Sequence, residues 1–450
     1  MAKFWNAGGI RLAVFVWLVY SVCPPFTSYD SYWTVPTALS ILSRGTTSLD
    51  PFVPTAPLGA RAGLECVPAV GPPLHYEEAN GCPGGHWYNL YPVAVSLFAL
   101  PFVLILKMVV AVIGGLAPRT GPLFSQPAVM AFFGGDFVAG HALAELWCAS
   151  TFGAVAVWLQ YQTAALFLSA RMAAAYALLF AFGTPEWSIG SRNLFQHGLV
   201  VLLLSATIYV LLRAREDPSR VRYAAIPLAL SFAVRPWNAI SVAVLTIFVA
   251  VHYRRQFIPF LGWASPVALL YFGYDRLARH AWFPLYITRT RPLALPWLDG
   301  LAMHLFSPSR GIFIYTPIAL IAVVGMALCV RSRWAFPLSP YLIAIAVLQV
   351  ALLARYWPGA GYGPRFFADI SHLLTLFLIP AFLYWQKLRG ASRTISAAVF
   401  LALAAWGVFT NGRGATSVSA QEWSLKQVRP EQVIERAWDW RDPQFLHGLL

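Results

Sequence analysis

Long apolar runs alternate with short clusters of arginine and lysine along this chain, and that alternation limits the folds open to it more than any motif does. The runs lie near residues 10–26, 92–116, 143–168, 172–184, 198–213, 223–235, 237–252, 257–274, 313–330, 336–353, 370–386 and 395–410. A helix needs about 20 apolar residues to cross a bilayer, where every backbone amide must be satisfied within its own segment. With 58% hydrophobic and 11% charged residues over 450 positions, the chain is too apolar to enclose one soluble core. It reads as an all-α polytopic membrane protein.

The net charge of +14 is spread through the short clusters rather than gathered on one basic face, which speaks against nucleic acid as a partner. Those clusters set a topology. "RAREDPSRVR" (213–222), "HYRRQ" (252–256), "RSR" (331–333) and "QKLRGASR" (386–393) read as cytoplasmic under the positive-inside rule. The first run, "IRLAVFVWLVYSVCPPF", has a basic flank but no small-x-small cleavage site, so it reads as an uncleaved anchor with its start inside. Residues 27–91, 184–197, 275–312, 354–369 and the tail from 411 then face outward. Parity requires 92–142 to cross an even number of times: either "GPLFSQPAVMAFFGGDFVAGH" returns through the membrane, the favoured reading, for about 13 helices if each run is one span, or 92–116 only dips in. The expected organisation is a transmembrane domain over 1–410, containing an outer loop 27–91 with interfacial helices, and an outer tail 411–450. Of five cysteines, Cys66 and Cys82 share an outer loop and either pair or remain two thiols.

The unusual polar residues gather on the outer side. Asp30, in "PPFTSYDSYWTVP", follows the first run at once. Held against aromatic neighbours, such a carboxylate can serve as a general base; it can equally cap a helix beginning in "SYDSYW". "FSPSRGIFIYTP" and "ARYWPGAGYGPRFFADISH" place Arg310 and Arg365 on turn-rich segments, where a guanidinium either grips a lipid phosphate by its bidentate fork or anchors at the interface, pairing with Asp369 or a headgroup. In "TPEWSIGSRNLFQHG", Arg192 and His197 are further candidates for the phosphate, the alternative for His197 being a hydrogen-bonded interfacial residue. Asp50, Glu77, Glu78, Trp87 and Tyr362 are candidates to hold an acceptor or a sugar: carboxylates accept from hydroxyls and rings stack on sugar faces, although aromatic residues also form the interfacial belt. The sequence has no HxxxH, HExxH or CxxC pair and no Walker or GxGxxG loop, so neither a metal site nor direct use of a nucleotide has a motif behind it.

An anchor helix followed by an outer-loop acid, then an aromatic "YP" entry to the next run, resembles the GT-C superfamily of membrane glycosyltransferases, which includes protein O-mannosyltransferases and lipid A aminoarabinose transferases. "GTPEWSIGSRNLFQHG", "FSPSRGIFIYTP", "YGPRFFADISH" and "RAWDWRDPQFL" are similar to a bacterial subgroup described as mannosyltransferase-like. The resemblance implies a GT-C bundle in the bacterial inner membrane, facing the periplasm or exterior. It also implies transfer of one sugar from a polyprenyl-phosphate donor to a hydroxyl of a glycan, lipid or protein, with Asp30 as catalytic base. Mannosyltransferases tend to carry an adjacent Asp-Glu pair, whereas Ser31 follows Asp30 here, which leaves a divalent metal open. Two rivals stand beside this reading. A transporter or flippase would place charges along a pathway, and Lys107 and Arg235 are the main charges inside runs. A glycan ligase using a lipid pyrophosphate would rely on Arg and His without a carboxylate base.

Overall fold

A computed structural model describes residues 7–113, 126–288, 294–357, 359, 361–425 and 433–449. The chain is mostly helical. Among the described residues, six helical segments are long and apolar enough to cross a membrane: Ala94–Val112, His141–Ala164, Gln196–Arg213, Arg254–Ala278, Arg365–Trp385 and Gly390–Thr416. Five shorter apolar ones accompany them, at Ala7–Ser21, Ala170–Gly183, Pro236–His252, Ile318–Ser332 and Ser339–Leu353. Helix ends fall close to the ends of the apolar runs, where charge, Gly or Pro removes the reason to continue. His141–Ala164 and Gln196–Arg213 form the centre, with 78% of their apolar windows buried, whereas Arg254–Ala278 at 11% and Gly390–Thr416 at 17% turn apolar side chains outward, as lipid-facing helices do.

The expected return crossing is not found in the described part of its stretch. Residues 126–140 hold only the helix Pro127–Phe133, seven residues long. Such a helix rises about 10 Å, a third of a bilayer core. The remainder of that stretch lies outside the described residues.

The loop 27–91 also departs from an all-helical expectation. It carries the helix Thr34–Arg44, which ends where Gly45 enters the left-handed region (φ 68°) and returns its N–H to the Ile41 carbonyl. After it comes a small antiparallel sheet in the order β2-β1-β3, with β1 Leu64–Val67, β2 Leu74–His75 and β3 His86–Asn89. The register sets Glu65 opposite His75 and Tyr88, and Cys66 opposite Leu74 and Trp87. A Cys66–Cys82 disulfide closes it, settling the open alternative in favour of pairing. Trp33, Leu49, Leu64 and Trp87 supply a core separate from that of the bundle.

A domain boundary at 410 falls inside a continuous helix. Gly390–Thr416 runs past it, with Thr410 and Asn411 fully buried: Asn411 donates to the Tyr315 carbonyl at 3.0 Å and to Gly407 at 2.9 Å. The tail beyond packs back on the bundle through Phe445 against Tyr315 and Val433 against Met303.

Candidate active site

Asp30 sits in a run of turns between the first helix and Thr34–Arg44. That second helix takes Trp33 as its N-cap, without a side-chain cap bond, so Asp30 is not the cap its sequence allowed. Its Oδ1 instead accepts from the Tyr91 hydroxyl at 2.8 Å, and its Oδ2 is ion-paired with the Arg365 guanidinium. Both charged side chains are over nine-tenths buried. Burial pushes the Tyr91 phenol up, which keeps it a neutral donor to the carboxylate.

The backbone leading to Asp30 is held from three directions. Arg192 donates to the carbonyls of Tyr20, at 3.2 Å, and Pro24, satisfying acceptors where the first helix runs out. Thr27 donates to Glu145 at 2.8 Å, and Glu145 also accepts from the Leu194 amide. On the far side, Arg279 donates to the carbonyls of Asn89 and Tyr91, both at 3.0 Å, which fixes the residue that hydrogen-bonds Asp30.

Arg365 stands at the start of a 3-10 turn, Arg365–Ile370, with its guanidinium 4.4 Å from the Phe195 ring centroid. A methyl group on Gly361 would come within 2.6 Å of its Cδ, so only glycine lets the loop backbone lie along this side chain. One turn further on, Asp369 binds Arg235 Nε at 2.7 Å and His197 Nδ1 at 2.7 Å. The alternative pairing of Arg365 with Asp369 is therefore replaced by Arg365 with Asp30, and Asp369 with Arg235 and His197. Arg235 occupies the break between Ala225–Val234 and Pro236–Asn238, not the middle of a helix, and donates to Gln196 at 3.2 Å. His197 can reach Asp369 because Gly198 passes against the Gly190 carbonyl, a contact that leaves no room for a side chain. Tyr286 closes the group with its ring 5.0 Å from that of Tyr91. Two carboxylates and two guanidiniums thus alternate where the ends of several helices meet.

The other candidates lie apart from this group. Arg310 is buried, and donates to the carbonyls of Gly361 at 2.7 Å and Gly359 at 3.0 Å; its part is to hold the loop that carries Arg365. Arg192 is tied to the first helix as described, so a lipid phosphate would have to displace backbone acceptors from either arginine. Asp50 pins the sheet by accepting from the Trp87 amide and from Ser48, each at 2.7 Å, and it lies 2.7 Å from His86. Burial acts to raise its pKa, but those three partners outweigh it and hold the carboxyl below its ordinary value. Trp87 is buried against Tyr76, and Tyr362 is buried with its hydroxyl on the Thr410 carbonyl at 2.6 Å; neither offers a free face to a sugar. Glu77 and Glu78 are exposed on the turn Tyr76–Glu78. Among the described residues, no cluster of three or more His, Cys, Asp or Glu side chains is arranged to hold a metal ion.

Tyr91 and Tyr286 were not among the residues singled out from the sequence, Arg235 was read only as a charge inside a run, and Asp369 only as a partner for an anchoring arginine. The position of Tyr91, Arg235 and Asp369 at the edge of an apolar run was the available signal; Tyr286, inside the outer segment 275–312, had none. No family model, curated protein or solved structure matches the chain.

Proposed function

We propose that the chain is a membrane glycosyltransferase of the GT-C type, with about 13 crossings, that moves one sugar from a polyprenyl phosphate to an acceptor hydroxyl on the outer face. The observation carrying this reading is the contact of Asp30 with Arg365 and Tyr91, which joins a candidate base to a candidate phosphate ligand at helix ends. A polyprenyl phosphate keeps its tail in the bilayer and its phosphate at the interface, so both groups are needed at that depth.

In the resting state the carboxylate and the guanidinium satisfy each other. An arriving phosphate competes for the fork of Arg365 and leaves Asp30 with Tyr91 alone, a weaker partner and hence a more basic environment. Asp30 then takes the proton of the acceptor hydroxyl as its oxygen attacks the anomeric carbon. The carbon–oxygen bond to phosphate breaks, and Arg365 neutralises the charge gained by the departing lipid phosphate. A single displacement inverts the anomeric centre. His197 and Arg235 act from behind by holding Asp369, and with it the turn that begins at Arg365.

The test is transfer by the purified full chain from synthetic polyprenyl-phosphate sugars, using as acceptors the glycans and glycolipids that differ between cells with and without the gene. Product with inverted configuration is expected. If lipid or glycan instead crosses reconstituted vesicles without sugar transfer, the chain is a transporter and the proposal fails.

A further inference from the structure

Arg310 is a buried cation whose described contacts are carbonyl oxygens, a glutamine and ring faces. Its guanidinium lies 5.0 Å from the Trp357 ring centroid and 5.8 Å from that of Trp423, and Trp423 in turn is 4.1 Å from the Arg436 guanidinium. Burial pushes Arg310 down to about 10, so it still carries its charge at neutral pH. The carbonyls reach it because Gly359, Gly361 and Gly363 take φ of 66°, 148° and 48°, the left-handed region open to glycine, which turns successive peptide planes inward.

A residue far along the chain completes this arrangement. Gln444 is fully buried; its Oε1 accepts from Arg310 at 3.0 Å and from the Gly363 amide at 2.9 Å, while its Nε2 donates to the Ala420 carbonyl at 3.0 Å and to that of Gly361 at 3.3 Å. The segment bearing Gln444 is itself gripped by the long last helix, whose Arg413 donates to the carbonyls of Phe445 at 3.2 Å and His447 at 2.8 Å. Ser309, beside Arg310, donates to the Ala437 carbonyl at 3.1 Å. One side chain of the tail therefore closes hydrogen bonds to both ends of the Gly361–Gly363 turn, and the Gly363 carbonyl accepts the amide of Arg365 at 2.9 Å.

We infer that the C-terminal segment is a clamp for the Arg365 loop, with Gln444 and Arg310 as positioning residues that set where Arg365 meets Asp30. The inference deepens the reading above by assigning what orders that site, but its test measures loop order and not sugar transfer, so the two can fail separately. Without Gln444, the Gly363 amide and one arm of Arg310 lose buried partners, and the turn gains by opening toward water.

Hydrogen exchange of the full chain in detergent is the experiment, comparing the wild type with Gln444→Leu, Gln444→Glu and Arg310→Lys. Glutamate keeps the acceptor for Arg310 and for the Gly363 amide, leucine keeps only the volume, and lysine keeps the charge of Arg310 without its fork. Gln444→Leu is expected to speed exchange across residues 361–367 by about tenfold or more, with the central helix His141–Ala164 unchanged. Gln444→Glu, which keeps the acceptor bonds but sets its second oxygen against the Ala420 and Gly361 carbonyls, is expected to fall between the wild type and Gln444→Leu, and Arg310→Lys to follow the leucine variant. The clamp is refuted if Gln444→Leu leaves 361–367 as protected as in the wild type, if it accelerates exchange uniformly through the central helix, or if Gln444→Glu exchanges as fast as Gln444→Leu. Should Gln444→Leu not fold, the other two variants decide: a loop better protected in Gln444→Glu than in Arg310→Lys supports the clamp, and any other pattern overturns it.

Discussion

Two arginine–carboxylate centres flank Tyr91, and they differ in kind. At the first, Arg365 at the start of its 3-10 turn is paired with Asp30 from a run of turns, with Tyr29 and the Phe195 ring also against the guanidinium. At the second, Arg279 is shared between Glu65 on β1, at 3.0 Å, and Asp275, at 3.5 Å, with its remaining donors on the Asn89 and Tyr91 carbonyls. All three side chains of the second centre are at least 97% buried. The effect of this guanidinium is to weld the outer sheet to the helix Arg254–Ala278. At the first centre the carboxylate also accepts from Tyr91, a neutral partner. The contrast is one of surroundings: the second centre joins two structural elements through one shared cation, whereas the first brings together two turn segments.

That contrast can be broken at either centre, and the largest effect belongs to the second. Arg279→Met leaves two buried carboxylates without their cation, so folding stability should fall by about 3–5 kcal/mol. Thermal unfolding in detergent would register it, and a variant as stable as the wild type would show that the weld does not exist. Serine at both Cys66 and Cys82 should cost about 3 kcal/mol for a closed loop of this length. Limited proteolysis should then cut the outer loop first while the bundle stays intact.

Next in size is a pH effect. Burial pushes Glu65 up to about 7 against the pull of Arg279, with Asp275 adding to the rise, from an ordinary 4.5. The folded state therefore holds a proton that the unfolded state releases, and the stabilisation from it is complete below 4.5 and lost as pH rises through about 7. Glu65→Gln should abolish that slope. Parallel stability curves for the two proteins between pH 5 and 8 would contradict it. The smallest effect returns to the first centre: Arg365→Lys keeps the charge without the fork and should lose about tenfold in transfer, whereas Arg365→Ala should lose most of it.

The sequence carried the helices well. A run such as 198–213 and the helix Gln196–Arg213 nearly coincide, because a long apolar stretch ended by charge has few other solutions. The outer sheet was not legible. Strands of four, two and four residues are too short for an alternating pattern to stand out, and they depend on a disulfide and on Trp33 for their core. Asp30 and Arg365 were legible as candidates, since a charge at the rim of an apolar run is expensive and asks for a reason. Their pairing was not, and nor was that of Arg235 with Asp369, because tertiary packing alone brings such distant segments together. Arg310 is a related case: its glycine-rich surroundings suggested an open turn, while the partner that fills the turn, Gln444, lies in the distant stretch "RAWDWRDPQFL", which the resemblance marked without showing what it touches.

The claim that Asp30 is the working acid of the pair rests most directly on the turnover of Asp30→Asn, measured beside Glu65→Gln with the same synthetic polyprenyl-phosphate sugar and at equal folded concentration. Asparagine keeps the size and the acceptor for Tyr91 but cannot take a proton. A loss of roughly 100-fold or more is expected for Asp30→Asn with its unfolding temperature little changed, against a loss of only about twofold for Glu65→Gln. Full transfer by Asp30→Asn would contradict the account and turn attention to a reaction that needs no carboxylate base.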